Sequence, residues 1–308
     1  MASGQRIEAG KRRGTGSRAE LESIGYTVLS GVLDRGEIAD LRRCGLDYLR
    51  RGGESIGLGR YEGALVSRAD WTARMVCNPR LIEAFRSLLG DRPMVFTGSA
   101  DMHLNMLNIW HRDCFGPGER AWTGNFYGEG FRVYRAGIYL QDNDAQGTGF
   151  HVLRGSHRGA ECDGLPVDYL TTRAGDLILI DSRVLHAGVL PDPFERVLRG
   201  AARRLGTTVP FQGMKNLVWR AKGRGERLSM FVAYGLRNPG TEEFCRFDLR
   251  LRRSRAGAAH CLSTPALLAA LEQAGVISYE TELHRHFGDG ALRDFAARGV
   301  LPEERLWS

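Results

Sequence analysis

Apolar and polar positions follow two rhythms along this chain, and the rhythm changes in a definite order. Residues 20–33 read as a short helix followed by a strand over Tyr26-Thr27-Val28-Leu29. Asp34 can cap a helix running to about residue 50, because its carboxylate accepts the orphan amides of a first turn. Ile38, Leu41, Tyr48 and Leu49 then share one face, and Gly52 and Gly53 stop it. A second helix fits 78–89, opened by Asn78-Pro79 and closed at Gly90. Strand-like stretches follow over 93–97, 102–110, 131–141, 149–153, 176–181 and 228–234, several of them separated by glycine-rich turns. From Thr264 the chain turns helical again, with Leu267, Leu268 and Leu271 and an end near Gly275.

Helices first, short strands in the middle and helices last predict a mainly β protein, a sandwich or barrel braced by flanking helices. No internal repeat or long low-complexity linker divides it. The expected organisation is a disordered basic leader over 1–18 and one domain over 19–308. Two connections, 114–130 and 187–226, are long for a compact domain and read as lid insertions. The segment 264–308 is a helical tail.

The chain has 308 residues, 43% of them hydrophobic, enough to bury a sizeable core. No apolar run approaches about 18 residues, so no membrane partner is expected. The leader carries Lys11, Arg12, Arg13 and Arg18 but lacks the apolar stretch of a secretory signal. Cys44, Cys77, Cys114, Cys162, Cys245 and Cys261 form no C-x-x-C pair, which argues for reduced thiols and a cytoplasmic location. Net charge is +7, and the excess is concentrated in Arg196, Arg199, Arg203, Arg204, Lys215, Arg220, Lys222, Arg224 and Arg227. Such a run is ordinarily a solvated face; the sharper reading is a lid that attracts an anionic substrate. Nucleic acid is not an expected partner, since no recognised nucleic-acid-binding motif accompanies the charge.

The candidate chemistry lies in Trp110-His111-Arg112-Asp113 and in the run 175–186 that ends at His186. On an extended strand, His111 and Asp113 point to one side. Two imidazoles and one carboxylate make the facial triad of non-haem Fe(II) oxygenases, which leaves the opposite metal positions open. A lone H-x-D is common by chance. His103, His151, His157, His260, His284 and His286 fall outside the motif, and His284-Arg285-His286 lies on a helical stretch where alternate residues do not converge.

Ordered with other pieces, the motif becomes specific. Gly25-Tyr26-Thr27-Val28-Leu29, Leu88-Leu89-Gly90-Asp91-Arg92-Pro93, Trp110-His111-Arg112-Asp113, Gly137-Ile138-Tyr139-Leu140-Gln141-Asp142, Gly155-Ser156-His157-Arg158, Gly175-Asp176, His186 and Arg227-Leu228-Ser229 occur in sequence order from about residue 20 to 235. Together they resemble the phytanoyl-CoA dioxygenase (PhyH-like) family of Fe(II)- and 2-oxoglutarate-dependent oxygenases. The resemblance implies a double-stranded β-helix (jelly roll, cupin-like) core. It implies His111, Asp113 and His186 as iron ligands, 2-oxoglutarate as co-substrate and O2 as oxidant. Asp113 at the carboxylate position points away from halogenation.

The far carboxylate of 2-oxoglutarate needs a cation, best a forked guanidinium. Arg227 with Ser229 resembles the family's Arg-x-Ser pair at the start of a late strand. An inserted stretch separates it from His186, however, and Arg196 or Arg199 sits at the more usual distance. Asn108 and Tyr139 are further candidates for the co-substrate carboxylates, or else satisfied core polar groups. Gln141 and, in the first long connection, Trp122, Phe126 and Tyr127 are candidates for substrate contact. Trp110 and Cys114 read as core residues. The implied activity is oxidation of a C–H bond of a small molecule, a bacterial natural-product intermediate by association with an Arg- and Gly-rich composition, with release of succinate and CO2. The competing readings are an oxygenase acting on nucleic acid or protein, and a non-catalytic jelly-roll binding protein.

Overall fold

In a computed structural model, residues 10–12, 16–90, 92–113, 130–143, 149–159 and 161–307 are described. The strands are β1 (Gly10–Arg12), β2 (Tyr26–Leu29), β3 (Glu54–Ile56), β4 (Gly59–Glu62), β5 (Met94–Leu104), β6 (Val133–Tyr139), β7 (Phe150–Leu153), β8 (Val167–Leu170), β9 (Leu177–Asp181), β10 (His186–Ala187), β11 (Leu228–Leu236) and β12 (Ile277–Ser278). The helices are α1 (Arg18–Ile24), α2 (Arg35–Arg51), α3 (Leu65–Arg68), α4 (Thr72–Val76), α5 (Pro79–Leu89), α6 (Pro193–Leu205), α7 (Val209–Ala221), α8 (Pro239–Ala256), α9 (Pro265–Gln273), α10 (Tyr279–Phe287) and α11 (Asp289–Arg298).

Strands pair in the order β2-β9-β6-β11-β5-β4-β3 in the larger sheet, with β12 added beside β5. The smaller sheet runs β1-β8-β7-β10. Pairing is antiparallel except where β1 and β12 attach. This is the mainly β, helix-flanked jelly roll that the sequence predicts.

Both faces of the larger sheet are buried, and alternation decides what each face meets. Ala100, Met102 and Leu104 of β5, Ala136 and Ile138 of β6, Leu177 and Leu179 of β9 and Met230 and Val232 of β11 form one core with Leu41 and Leu49 of α2 and Leu81, Ile82 and Phe85 of α5. The opposite face sends Tyr26, Tyr139, Ile178 and Ile180 inward against Phe150, Val152 and Leu170 of the smaller sheet. Ser99, Asp101, His103, Arg135, Phe231 and Ser229 alternate with the apolar outer set on the same strands, so the jelly-roll interior is apolar at one end and polar at the other.

Local signals explain the helices the sequence predicts. Asp34 and Glu37 make a reciprocal capping box at the start of α2. Asn78 accepts from the amides of Arg80 and Leu81 ahead of α5, and Thr264 caps α9.

Several expectations are corrected. The stretches 93–97 and 102–110 are one strand, β5, which ends at Leu104 because Asn105 adopts a left-handed φ of +53°. Residues 105–110 are therefore irregular, and His111 and Asp113 do not sit on a regular strand. The segment 187–226 contains α6 and α7 rather than a long loop: Asp192 and Glu195 form a second capping box, and Leu198, Ala202 and Trp219 pack on Leu58, Leu107 and Val189. Residues 10–12, within the expected disordered leader, pair in parallel with β8. Helix α8, over a segment where the sequence pattern predicts no element, buries Phe244, Cys245 and Leu249 together with ion pairs, Arg252 with Asp248 at 2.9 Å and with Glu280 at 3.0 Å. Residues 114–129, which hold Cys114, Trp122, Phe126 and Tyr127, lie outside the described residues.

Candidate metal centre

His186 opens β10, and His111 joins it in an isolated antiparallel bridge: each backbone N–H donates to the other's carbonyl at 2.9 Å. Directly opposed residues of such a pair carry their side chains on one face. The two imidazole rings accordingly lie 4.4 Å apart, centroid to centroid. Two residues on, the amide of Asp113 donates to the Ser182 carbonyl at 3.3 Å, which folds its carboxylate back over the bridge. Asp113 Oδ1 then stands 3.9 Å from His111 Nε2 and 3.7 Å from His186 Nε2. One ligand atom from each of the three residues falls within 4.8 Å of the others. The convergence the sequence expected of an extended strand is produced by a bridge and a turn.

The ring nitrogens are sorted by their backbone partners. Nδ1 of His111 faces the Ile109 carbonyl at 2.8 Å, and Nδ1 of His186 faces the Val184 carbonyl at 3.0 Å. A carbonyl only accepts, so Nδ1 carries the proton and the Nε2 lone pair is turned toward Asp113. Burial pushes the His186 imidazole down to about 4 against the opposing pull of Asp113, so it is neutral near pH 7. Two imidazoles and one carboxylate oxygen fit a ferrous ion, and with three protein ligands positions are left for other groups. The His111 side chain is 38% exposed and that of His186 4%, so the centre opens toward solvent on the His111 side.

Behind the carboxylate stands Arg135 of β6, whose Nε lies 3.7 Å from Asp113 Oδ2. Its Nη2 donates to Asp101 Oδ2, and Asp101 Oδ1 lies 3.2 Å from His103 Nε2. Burial alone would raise the Asp101 carboxyl, but Arg135 and His103 more than reverse this and hold it below the usual range. Asp113 is thus presented with Oδ1 toward the histidines and Oδ2 toward a cation. Neither Arg135 nor the Asp101–His103 pair stands out in the sequence, because the partners come from separate strands; inward alternation on predicted strands is the signal that could have found them.

Arg227, 3% exposed, reaches into the same interior. Its guanidinium lies 5.1 Å over the Tyr139 ring, and burial lowers its pKa. Ser229 and Tyr139 face each other across the β11–β6 pair, both fully buried. The Ser229 hydroxyl has no hydrogen-bond partner among the described residues. Burial drives the Tyr139 phenol up to about 12, with Arg227 pulling the other way. Asn108 joins them at Gly188, two residues after His186: a Cβ there would lie 2.7 Å from Asn108 Nδ2 and 3.5 Å from Arg227 Nη2. Asn108, Tyr139, Arg227 and Ser229 therefore converge.

Arg196 is exposed and Arg199 half-buried on α6. Gln141 is engaged in the scaffold, its Oε1 accepting from Leu228 N–H at 2.8 Å and from Arg42 at 3.1 Å. His157 sits in a short helical turn with Nε2 3.2 Å from the Glu22 carbonyl, and Trp110 is partly exposed with its ring edge-on to His151.

The non-heme alpha-ketoglutarate-dependent carbocyclase SnoK from nogalamycin biosynthesis superposes with a TM-score of 0.51 at 17% identity, covering 75% of this chain and 88% of that one. The chain has the SnoK fold. The epimerase SnoN from the same biosynthesis aligns at 0.49 and 19% identity over 72% of this chain and 81% of its own. HygX from Streptomyces hygroscopicus, solved with nickel and 2-oxoglutarate, aligns at 0.47 and 17% over 70% and 84%. No family model and no curated protein matches by sequence. No helix among the described residues is long and apolar enough to cross a membrane.

Proposed function

We propose that this protein is an Fe(II)- and 2-oxoglutarate-dependent oxygenase that oxidises a C–H bond of a small molecule, with release of succinate and CO2. The observation that carries the reading is the approach of His111, Asp113 and His186 to within 4.8 Å, with both histidine Nδ1 atoms tied back to carbonyls. In this reading the three residues hold iron, and the iron with its co-substrate and O2 supplies the oxidising power for C–H cleavage. Arg227 receives the far carboxylate of 2-oxoglutarate, with the Ser229 hydroxyl, Tyr139 and Asn108 as hydrogen-bonding neighbours. A buried guanidinium is suited to this work, because it stays charged in a dry site and can bind two oxygens at once.

Arg135 keeps the outer oxygen of Asp113 engaged, which favours one-oxygen ligation through Oδ1. The substrate is a natural-product intermediate, a reading supported by the biosynthetic setting of SnoK. Hydroxylation, desaturation, epimerisation and ring formation all begin from the same hydrogen abstraction, so product analysis decides among them.

The test is succinate formation under air by protein loaded anaerobically with Fe(II) and 2-oxoglutarate, with and without a panel of candidate metabolites. Slow turnover without substrate and acceleration by one class of metabolite are expected. Absence of succinate from metal-loaded protein across the panel would overturn the reading in favour of a binding protein.

A further inference from the structure

The insertion between His186 and Arg227 carries one of its cations, Lys215, fully into the interior. Lys215 of α7 belongs to the basic run, yet it is fully buried while Arg196, Arg203, Arg204, Arg220 and Lys222 are exposed. Its ammonium donates to the Asn105 carbonyl and lies 4.3 Å over the Trp219 ring. Trp219 is itself fixed by its indole N–H, which donates to Glu195 Oε1 at 2.5 Å.

Asn105 is the residue in the left-handed region that ends β5. It grips Arg227 twice: its amide donates to the Arg227 carbonyl at 2.9 Å, and its side-chain Oδ1 accepts the Arg227 N–H at 2.7 Å. A non-glycine residue holds such a backbone only when its surroundings over-determine it. Lys215 supplies the bond to the one polar main-chain atom of Asn105 that Arg227 does not use.

We infer that Lys215 is a positioning residue for 2-oxoglutarate binding: through Asn105 it fixes the Arg227 backbone, so that the insertion braces the co-substrate arginine. This rests on the reading that Arg227 receives the far carboxylate. It also explains how an insertion can lengthen the His186–Arg227 spacing without displacing the arginine. The charged groups that act on Lys215 are Glu195 of α6, which favours the ammonium, and Arg227 of β11, which opposes it; Arg224 stacks on Trp219 and lies 3.6 Å from Glu195. Burial brings the amine down to about 7. An anion at Arg227 therefore binds more tightly to the protonated form, and binding above neutrality draws a proton onto the protein.

The experiment is calorimetric titration of the Ni(II)-loaded protein with 2-oxoglutarate, and with pyruvate, which has the chelating keto-acid end but no far carboxylate. K215M should weaken 2-oxoglutarate binding about tenfold and leave pyruvate binding unchanged. R227M should weaken 2-oxoglutarate more, and adding K215M to R227M should change nothing further. K215R should recover part of the loss. In the wild type, affinity for 2-oxoglutarate should fall as pH rises through about 7, with proton uptake visible as a dependence of the heat on buffer ionisation; in K215M the step should vanish. If K215M does not fold, the wild-type pH profile and proton uptake decide alone. Normal 2-oxoglutarate binding by R227M would overturn the assignment of Arg227. Impaired R227M with normal K215M, equal losses for pyruvate and 2-oxoglutarate, or a flat wild-type profile would overturn the role of Lys215 only.

Discussion

At the scale of single residues, the metal centre is a matter of which atom faces which. Asp113 has Oδ1 toward two imidazole nitrogens and Oδ2 toward Arg135, and Arg135 also serves Asp101. Replacing Arg135 with Met should weaken divalent-metal binding by roughly 10–100-fold, the usual cost of losing a partner behind a ligand. It should also destabilise the fold by about 3–5 kcal/mol, because Asp101 keeps a buried charge without its cation. Metal titration and denaturant unfolding of the same variant measure the two effects; unchanged metal affinity would reduce Arg135 to a purely structural ion pair. Gly188 offers a gentler probe. Its φ is not in the left-handed region, so Gly188→Ala costs no backbone strain, but the added methyl presses on Asn108 Nδ2 and approaches Arg227 Nη2. The expected result is a higher KM for 2-oxoglutarate in succinate formation, with metal affinity retained.

At the scale of elements, α5 and the β11 strand it covers show what holds the larger sheet. Phe85 and Tyr234 are fully buried with rings 4.7 Å apart and edge to face, and the Tyr234 hydroxyl donates to the Val76 carbonyl. Phe85→Ala should cost about 3–5 kcal/mol by opening a cavity there. Since this core lies on the face away from the histidines, the variant should bind metal normally well below its lowered Tm. Calorimetric unfolding and metal titration check both halves. The elements that were legible in the sequence are those with local signals: the Asp34 capping box, the Asn78-Pro79 start and the alternating runs of β6, β9 and β11. Helices α6, α7 and α8 were not, because their buried faces carry Glu195, Lys215, Asp248 and Arg252, charged residues whose partners are distant in sequence.

At the scale of the whole molecule, buried charge sets how stability follows pH. Lys215 titrates near 7 when folded and near 10.5 when exposed. Between those values the unfolded chain binds the extra proton, so unfolding becomes harder as pH rises from about 7 toward 10.5. The wild type should gain stability over that window relative to K215M, whose profile lacks this contribution. Denaturant midpoints of the two proteins at pH 7 and pH 9.5 measure it, and parallel profiles would show that Lys215 keeps an ordinary pKa in the fold. On the inferred role of Lys215, the charge that favours 2-oxoglutarate at low pH costs stability there.

What the sequence determined by itself is the chemistry and its order: the mainly β class, the flanking helices, and His111, Asp113 and His186 as the residues that come together. The alternating pattern carries the fold class, and the three ligands follow from the ordered motifs through the family they resemble, because H-x-D alone is common by chance. What only the tertiary structure decided is geometry between distant segments. The bridge of His111 with His186 replaces the expected strand, burial separates Arg227 from Arg196, and Arg135 and Lys215 acquire roles through partners 22 and 110 residues away. Burial and hydrogen-bond closure are properties of the packed chain, and a charged residue in a basic run looks the same in sequence whether it faces water or the core.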